Sequence, residues 1–149
     1  MTEFKSEEKI IPASGTDIYE VLSDLSRIEQ VKDKLPTESL DKIKDITCDK
    51  DSCTITVDPI GKVRFNVVER IPGSLVRFEA EQAPFAFSLF IHLESISEQE
   101  TKMYLAVNAD LNMFLKPMLS KPLQQGLNKM ADILALVPYG KIKNQDSIG

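Results

Sequence analysis

The stretch from Ile43 to Asp110 restricts the fold more than any other part of the sequence, because apolar and polar residues alternate along most of it. Alternation with a period of two puts every second side chain on the same face of an extended strand. Short breaks interrupt the pattern, and they read DKDS, PIG, IPGS, QAP and SEQE. Breaks of this length favour hairpins, so the pattern predicts a meander of about six antiparallel strands.

The parity of these strands predicts a sheet with one apolar and one polar face. The apolar positions are Val63, Phe65, Val67, Val76, Phe78, Ala80, Phe85, Phe87, Leu89, Ile91, Leu93, Met103, Leu105, Val107 and Ala109. The positions of opposite parity include Arg64, Asn66, Arg70, Arg77, Glu79 and Glu81. Such side chains suit cross-strand ion pairs in water. The apolar face must therefore be covered by helical segments on either side of the meander.

The residues before the meander predict one edge strand and two short helices. Phe4–Ile11 has the pattern of a strand that Pro12 ends. Ser14 stands three residues before Asp17, which is close to a capping box at the start of a helix. A second helical turn is expected from Ser26 to Lys34. The apolar stripe of the first helix consists of Ile18, Val21, Leu22, Leu25 and Ile28.

The segment from Leu111 to Tyr139 has apolar residues at helical spacing but also contains Pro117, Pro122 and Gly126. We expect an approach turn up to Leu119 and a helix capped by Ser120, which places Pro122 in the first turn, where its missing N–H is harmless. Gly126 is then the one interior anomaly, and we expect it to let the sheet or a ligand approach the helix closely. The predicted inward stripe is Leu119, Leu123, Leu127, Met130, Leu134 and Val137, with Lys121, Gln124, Gln125, Asn128 and Asp132 facing water.

Length and charge exclude several functional classes. A chain of 149 residues is long enough for one domain with its own core, and we expect this domain at 1–140 and a flexible tail at 141–149. The net charge of −5 opposes binding to nucleic acid. No stretch approaches the roughly 18 consecutive apolar residues of a membrane span, and the N-terminus lacks an export signal. We therefore expect a cytoplasmic protein without integral membrane association.

Two quoted stretches and the order of elements resemble a known superfamily. IIPASGTDIYEVLSDLSRIEQV, from Ile10 to Val31, resembles the strand-to-helix entry of the START-like, or SRPBCC, superfamily, which includes polyketide cyclase-like proteins. KPLQQGLNKMADIL, from Lys121 to Leu134, is similar to the closing helix of that superfamily. The resemblance implies an α+β helix-grip fold, in which an antiparallel sheet of about seven strands wraps on a long C-terminal helix, with two short helices after strand 1.

The resemblance also implies a hydrophobic cavity between the sheet and the C-terminal helix, used in the superfamily for lipids, sterols, aromatic polyketides or plant metabolites. The same apolar residues could instead fill a closed core, so a pocket and a filled core remain alternatives. Methionine side chains would adapt to ligands of varied shape. The candidate lining residues are Phe65, Phe78, Phe87, Leu89, Leu105, Val107, Met113, Phe114, Met118, Gly126, Met130 and Leu134.

Residues for catalysis are few. The single histidine, His92, has outward parity beside Phe90, so a nucleophile system would lack a base on the inner face. Glu69 shares the inward parity of Val67 and is a weak candidate for an acid or base at the cavity mouth. Tyr19 and Tyr104 are weaker still, because Tyr104 points outward and Tyr19 lies off the helical stripe. We therefore assign no catalytic residue, no metal and no cofactor.

Cys48 and Cys53 flank the predicted hairpin loop Asp49–Ser52, which would set them opposite each other on one face. A disulfide is possible there, but reduced, core-packed thiols are the expectation for a cytosolic protein. One histidine and two cysteines cannot complete a zinc site of the Cys/His type.

Three functions remain open after these observations. The expected one is binding of a hydrophobic or aromatic small molecule or lipid, because an apolar face with few polar groups favours binding over bond-making. The alternatives are an enzyme of polyketide cyclase, dehydratase or hydrolase type, and a protein-interaction module of co-chaperone type that uses an exposed Phe90.

Overall fold

The computed structural model describes residues 2–27, 43–57 and 61–139, and within these ranges an eight-stranded antiparallel sheet dominates the fold. The strand order is β1-β8-β7-β6-β5-β4-β3, and β2 also pairs with β8. Two α-helices, α1 (Gly15–Leu22) and α2 (Leu115–Leu136), and a 3-10 turn at Leu25–Arg27 complete the described elements. The strands are β1 (Thr2–Lys5), β2 (Lys9–Ile11), β3 (Ile43–Cys48), β4 (Ser52–Val57), β5 (Gly61–Ile71), β6 (Leu75–Gln82), β7 (Phe87–Ser97) and β8 (Glu100–Ala109).

The predicted helix-grip architecture is confirmed, but the first strand differs from the expectation. Instead of one strand over Phe4–Ile11, β1 and β2 are separated at Ser6. The Ser6 backbone N–H donates to the Leu105 carbonyl at 2.8 Å, and the Leu105 N–H donates to the Ser6 hydroxyl oxygen, also at 2.8 Å. The Ser6 hydroxyl thus takes the place of a backbone carbonyl as the acceptor for the Leu105 N–H. The edge strand can therefore bend without leaving that buried N–H unpaired.

The apolar stripe of α1 is confirmed in its described part. Ser14 caps the helix, since its hydroxyl oxygen accepts a hydrogen bond from the Asp17 N–H at 3.1 Å. Ile18, Val21, Leu22 and Leu25 are buried. Beyond the 3-10 turn, Ile28 and the rest of the predicted second helix up to Lys34 lie outside the described residues, as does the predicted tail.

Helix α2 begins at Leu115, six residues earlier than a helix capped by Ser120, so the prediction of that cap is wrong. The Asn112 side-chain oxygen accepts hydrogen bonds from the N–H groups of Phe114 and Leu115, at 2.9 and 2.8 Å. Asn112 therefore satisfies backbone donors that the helix start leaves unpaired. Pro117 lies in the first turn, whereas Pro122 is inside the helix. Asparagine and serine are comparable caps, which is why the sequence did not distinguish the two starts.

Helix α2 packs against β1, β2 and β8, the strands at one edge of the sheet. Its polar face is also attached to that edge, although we expected it to face only water. The Gln124 amide donates to the Lys5 carbonyl at 2.7 Å, the Glu7 N–H donates to the Asn128 side-chain oxygen at 3.1 Å, and Asp132 forms an ion pair with Lys9. The buried residues of α2 are Leu119, Leu127, Ala131, Ile133 and Leu134. None of the described helices is long and apolar enough to cross a membrane.

Candidate ligand site between sheet and C-terminal helix

The inner face of the sheet, which α1 and α2 cover, is apolar in rows that run across the strands. In one row Phe65 pairs with Ala80, and Phe87 pairs with Ala109. Ala80 and Phe87 are neighbours as well, because Glu79 pairs with Ser88 immediately beside them. The next row is formed by Val67, Phe78, Leu89 and Val107, and further along lie Val76, Ile91 and Leu105, then Leu93 and Met103.

Half-buried residues are concentrated in the first of these rows, although Ala109 in the same row is 0% exposed. Phe65, Ala80 and Phe87 are half-buried, while Leu105 and Met103 are 0% exposed. We call the end of the sheet where β5 and β7 begin the open end, and the opposite end the closed end. The described apolar side chains of the inner face are thus fully covered at the closed end, whereas the open end combines these half-buried residues with the buried Val63, Phe85 and Ala109.

Apolar residues before and along α2 are also only partly buried. Leu111 and Leu115 pack against the core at the start of the helix, where Asp110 N–H donates to the Ala86 carbonyl at 2.8 Å and so holds the segment at the open end. Leu123 and Met130 continue the half-buried series along the helix. The described part of the open end therefore combines half-buried residues of the sheet with Leu111 and Leu115 at the start of the helix.

A close contact between α1 and the sheet accounts for the dense packing at the closed end. A Cβ atom added to Gly15 would lie 3.0 Å from Ser95 Oγ and 3.4 Å from the Gly73 carbonyl oxygen. Thr101, which is fully buried there, donates its hydroxyl hydrogen to the Ala13 carbonyl at 2.9 Å. A side chain at position 15 would require the Ser95 hydroxyl or the helix to shift, so the glycine suits this close approach.

The predicted lining residues fall into three groups. Buried residues are Phe78, Leu89, Leu105, Val107 and Leu134, and half-buried residues are Phe65, Phe87 and Met130. Contact of these two groups with a ligand stays a prediction. Met113, Phe114 and Met118 are instead exposed by 90%, 82% and 67%, because α2 starts at Leu115 and turns them outward. They do not line the space between sheet and helix.

The close approach of the sheet that was predicted at Gly126 is also wrong. The residue is exposed, and no described atom lies within 4 Å of a Cβ built on it. The sheet therefore does not approach the helix at this glycine. The close approach occurs at Gly15, for which no such role was predicted. The only sequence signal for it was the position of Gly15, directly after the cap Ser14 and before the buried stripe of α1.

Several half-buried apolar residues were not among the predicted lining residues, and the sequence contained signals for Val67 and Leu123. Val67 has the inward parity of Phe65, and Leu123 belongs to the predicted stripe of α2. Leu115 could not be found in this way, because it was assigned to the approach turn.

The carboxylate of Glu69, the candidate acid or base, lies on the outer face. Val67 pairs with Phe78 and Glu69 with Arg77, so Val68 is an extra residue and forms a bulge. Beyond a bulge of one residue the parity of a strand is reversed. Glu69 is accordingly exposed and has an ion pair with Arg77, whose Nε lies 3.8 Å from Glu69 Oε1. The inward placement predicted for Glu69 is wrong.

His92 lies on the outer face as expected, in a stack of three rings. Its ring centroid is 4.5 Å from that of Tyr104 and 6.0 Å from that of Phe90, and both pairs are nearly parallel. All three residues are half-buried, so Phe90 is less exposed than predicted. Burial lowers the pKa of His92, the positive charge of Lys5 lowers it further, and Glu3 opposes both. A shallow cleft beside the stack is lined by His92, Leu93, Glu94, Lys102 and Tyr104.

Two tyrosines lie against the core, Tyr139 just after α2 and Tyr19 on α1. Tyr139 is fully buried and donates its hydroxyl hydrogen to the Leu134 carbonyl at 2.6 Å. Burial raises the pKa of Tyr139 well above its ordinary value, so the group stays protonated and engaged in this bond. Tyr19 is half-buried against the core. The Tyr139 hydroxyl thus stabilises the end of α2 and is not placed to transfer a proton.

Cys48 and Cys53 form a disulfide, so the expectation of reduced thiols is wrong for this structure. The two residues pair directly across β3 and β4, and Cys53 is also the neighbour of Phe65 on β5. Asp49 stabilises the loop between them by accepting hydrogen bonds from the N–H groups of Asp51 and Ser52, at 3.0 and 2.8 Å. The sulfur bridge therefore borders the open end. Among the described residues no group of three or more His, Cys, Asp or Glu side chains could hold a metal ion.

No protein-family model matches the sequence, and no curated protein sequence matches it. Solved structures do match its fold. A START superfamily protein from Mycobacterium smegmatis has a TM-score of 0.68 at 13% identity, with 96% of this chain and 98% of that chain covered. Norcoclaurine synthase from Thalictrum flavum, in complex with dopamine and hydroxybenzaldehyde, has a TM-score of 0.67 at 16% identity, with 90% and 84% covered.

A conserved protein from Geobacillus kaustophilus is a further match, with a TM-score of 0.64 at 11% identity and 96% of each chain covered. The similarity to all of these structures extends over most of both chains. The protein therefore has the START-like helix-grip fold.

Proposed function

We propose that the protein binds a hydrophobic or aromatic small molecule or a lipid between the sheet and α2. The observation that carries this proposal is the group of half-buried apolar residues at the open end of the inner face. Phe65, Ala80 and Phe87 at the open end are only half-buried, although their parity directs them to the same side as the fully buried residues of the closed end. Apolar groups in this position gain free energy when a ligand covers them.

The polar groups near this surface favour a ligand with little charge. Among the described residues the buried polar side chains are those of Ser6, Ser52 and Thr101, and Ser6 and Thr101 are engaged in hydrogen bonds to the backbone of neighbouring strands or turns. Beyond the bulge Arg70 pairs with the inward-facing Val76, but its guanidinium already donates to Asp51 and to the Ser23 carbonyl. A buried ionic group of the ligand would therefore have to compete for this charge. Phe65 and Phe78, whose rings meet edge to face at 5.6 Å, offer an aromatic surface.

Catalysis is less well supported than binding. Of the side chains that we considered for acid or base chemistry, Glu69, His92 and Tyr104 lie on the outer face. Tyr19 is half-buried against the core. General acid–base catalysis requires such a group within hydrogen-bond reach of the reacting atom. The norcoclaurine synthase complex contains dopamine and hydroxybenzaldehyde, so a protein of this fold can hold small aromatic molecules. The similarity supports the aromatic class of ligand without supporting a reaction. The cytoplasmic location and the absence of a nucleic-acid partner stay predictions.

A tryptophan reporter tests the proposal directly, because the chain contains no tryptophan. We expect Phe65→Trp to place the only indole at the open end, where a bound ligand changes its emission. Fatty acids, sterols and aromatic polyketides are titrated against this variant and against Phe90→Trp, whose indole lies on the outer face. Binding between sheet and helix changes the emission of the first variant alone.

A thermal-shift screen of the unchanged chain with the same compounds provides an independent measurement. A ligand present at about 100 times its dissociation constant adds roughly 2.7 kcal/mol to the free energy of unfolding. A flat screen together with an unchanged emission of Phe65→Trp would contradict the proposal. Equal changes in both tryptophan variants would place the binding elsewhere and would also contradict it.

A further inference from the structure

Three large apolar side chains are exposed at the start of α2. Met113 is 90%, Phe114 82% and Met118 67% exposed. Single exposed apolar residues are normal on protein surfaces, but a contiguous group of this size marks an interaction site. We call Met113, Phe114 and Met118 the exposed tip. The other strongly exposed residues of this kind, such as Ile10, Ile96 and Leu136, are separated along the chain.

The exposed tip has a defined shape. Phe114 and Met118 are four residues apart at the beginning of the helix and lie on the same helical face. The side chain of Asn112 holds the turn that carries Met113 by accepting the N–H groups of Phe114 and Leu115. Pro117 restricts the backbone of the first helical turn. Little backbone conformational entropy is therefore lost when the tip is buried against a partner.

Two exposed lysines, Lys116 and Lys121, flank the exposed tip, and the exposed Asp110 precedes the segment that carries it. The segment from Leu111 to Ala131 contains three lysines and neither Asp nor Glu, whereas the chain carries a net charge of −5. Apolar side chains flanked by lysines are typical of surfaces that lie in the headgroup region of an anionic membrane. Positive charge adds attraction to such a surface, and the apolar residues enter its acyl boundary.

The exposed tip also lies at the open end of the inner face. The hydrogen bond from Asp110 N–H to the Ala86 carbonyl joins the segment before α2 to the start of β7, next to the half-buried Phe87. We propose that the exposed tip docks the protein on the surface of an anionic lipid bilayer, with the open end towards the lipid. This inference goes beyond the proposed function. Docking depends on the exposed tip and the lysines beside it, and it does not require a ligand between the sheet and α2.

Vesicle flotation of the full chain tests this proposal. The wild-type protein is mixed with vesicles of phosphatidylcholine alone or of phosphatidylcholine with an equal part of phosphatidylserine. We expect binding to the anionic vesicles that weakens as salt is added, since exposed charges are screened. The double variant Phe114→Ser/Met118→Ser should bind at least about tenfold more weakly, because two apolar side chains no longer enter the acyl region. Lys116→Glu/Lys121→Glu should also lose at least about tenfold on anionic vesicles.

Leu136→Ser is the matched control, because Leu136 is 60% exposed on the same helix but lies at its other end. All variants change exposed side chains, and circular dichroism with thermal melting verifies their fold. Unchanged vesicle binding by both Phe114→Ser/Met118→Ser and Lys116→Glu/Lys121→Glu would overturn the proposal. Failure of the wild type to bind either kind of vesicle would overturn it too. A concentration-dependent dimer that Phe114→Ser/Met118→Ser abolishes, without vesicle binding, would assign the tip to a second copy and would overturn it as well.

The ligand experiment and the vesicle experiment fail independently. The tip variants keep Phe65, Ala80 and Phe87, so soluble ligands should shift their melting temperatures as they shift that of the wild type. Loss of vesicle binding with retained ligand stabilisation supports docking. Loss of ligand stabilisation in the tip variants would show that the tip is part of the ligand site, and would overturn its separate role.

Discussion

The closed and open ends of the inner face are built from the same alternating strands, yet only one of them is completely covered. At the closed end Gly15 brings α1 to within contact distance of Ser95 and Gly73, and Met103 and Leu105 are 0% exposed. At the open end Phe65, Ala80 and Phe87 remain half-buried. The difference lies in what packs on the strands rather than in the strands themselves. Stability should therefore depend mainly on the closed end, and binding on the open end.

The largest expected effect is the loss of a side chain at the closed end. Leu105→Ala should lower the free energy of unfolding by roughly 2–5 kcal/mol, the range for buried leucines, because Leu105 is 0% exposed and its removal leaves a cavity. Urea denaturation measures this change. The control Leu136→Ala alters an exposed leucine and should change stability by less than about 0.5 kcal/mol. A loss for Leu105→Ala as small as that of the control would show that the closed end is not the stable half.

A side chain at the helix–sheet contact should have the next largest effect. Gly15→Val would place a Cβ 3.0 Å from Ser95 Oγ, with further methyl groups directed at the same surface. We expect a loss of about 1–3 kcal/mol in the free energy of unfolding, as for other overpacked sites. The double variant Gly15→Val/Ser95→Ala should recover part of this loss, because it removes the nearest atom. Equal stability of the wild type and Gly15→Val would contradict the close approach.

The sequence alone predicted much of the closed end, for a physical reason. The parity of β7 and β8 is uninterrupted from Phe87 to Leu93 and from Met103 to Ala109, so burial of one face follows from the period of the strand. The helical period likewise predicted the buried stripe of α1. Both signals are local, and no irregular residue falls within them.

The errors occurred where structure depends on a single extra residue or on a choice between similar groups. The bulge at Val68 reverses the parity that had assigned Glu69 to the inner face, and an extra residue leaves no trace in an alternating pattern. The start of α2 depended on whether Asn112 or Ser120 caps the helix, and both residue types are good caps. That one choice decided whether Met113, Phe114 and Met118 face a ligand or the solvent.

Gly15 at the start of α1 and Gly126 inside α2 should respond in opposite directions to the same kind of change. Gly126→Ala should raise the free energy of unfolding by up to about 1 kcal/mol, because alanine is the better helix former and no described atom lies within 4 Å of the new Cβ. Thermal denaturation of Gly126→Ala beside Gly15→Ala measures the contrast. Gly126→Leu should leave ligand binding unchanged, contrary to the expectation from the sequence. A destabilised Gly126→Ala would indicate a contact at this position.

The smallest effect concerns the outer face behind the closed end, where His92 stacks on Tyr104 and Phe90. Burial, with Lys5, lowers the pKa of His92 below its ordinary value of 6.5, and Glu3 opposes this shift. Below pH 6.5 His92 therefore binds a proton more readily in the unfolded chain than in the folded chain. The stability that the neutral, stacked His92 contributes is present above pH 6.5 and is lost as the pH falls towards the folded pKa.

His92 is the only histidine, so its imidazole signal in an NMR titration is unambiguous. Urea denaturation of the wild type and of His92→Gln, compared between about pH 7.5 and about pH 5.5, checks the linkage. The wild type should lose slightly more stability over this interval than the variant, because carboxylates titrate alike in both proteins. A titration midpoint at or above the ordinary value would mean that stacking does not bury the ring enough to disfavour its charge. The outer face would then contribute no pH dependence to the stability of the closed end.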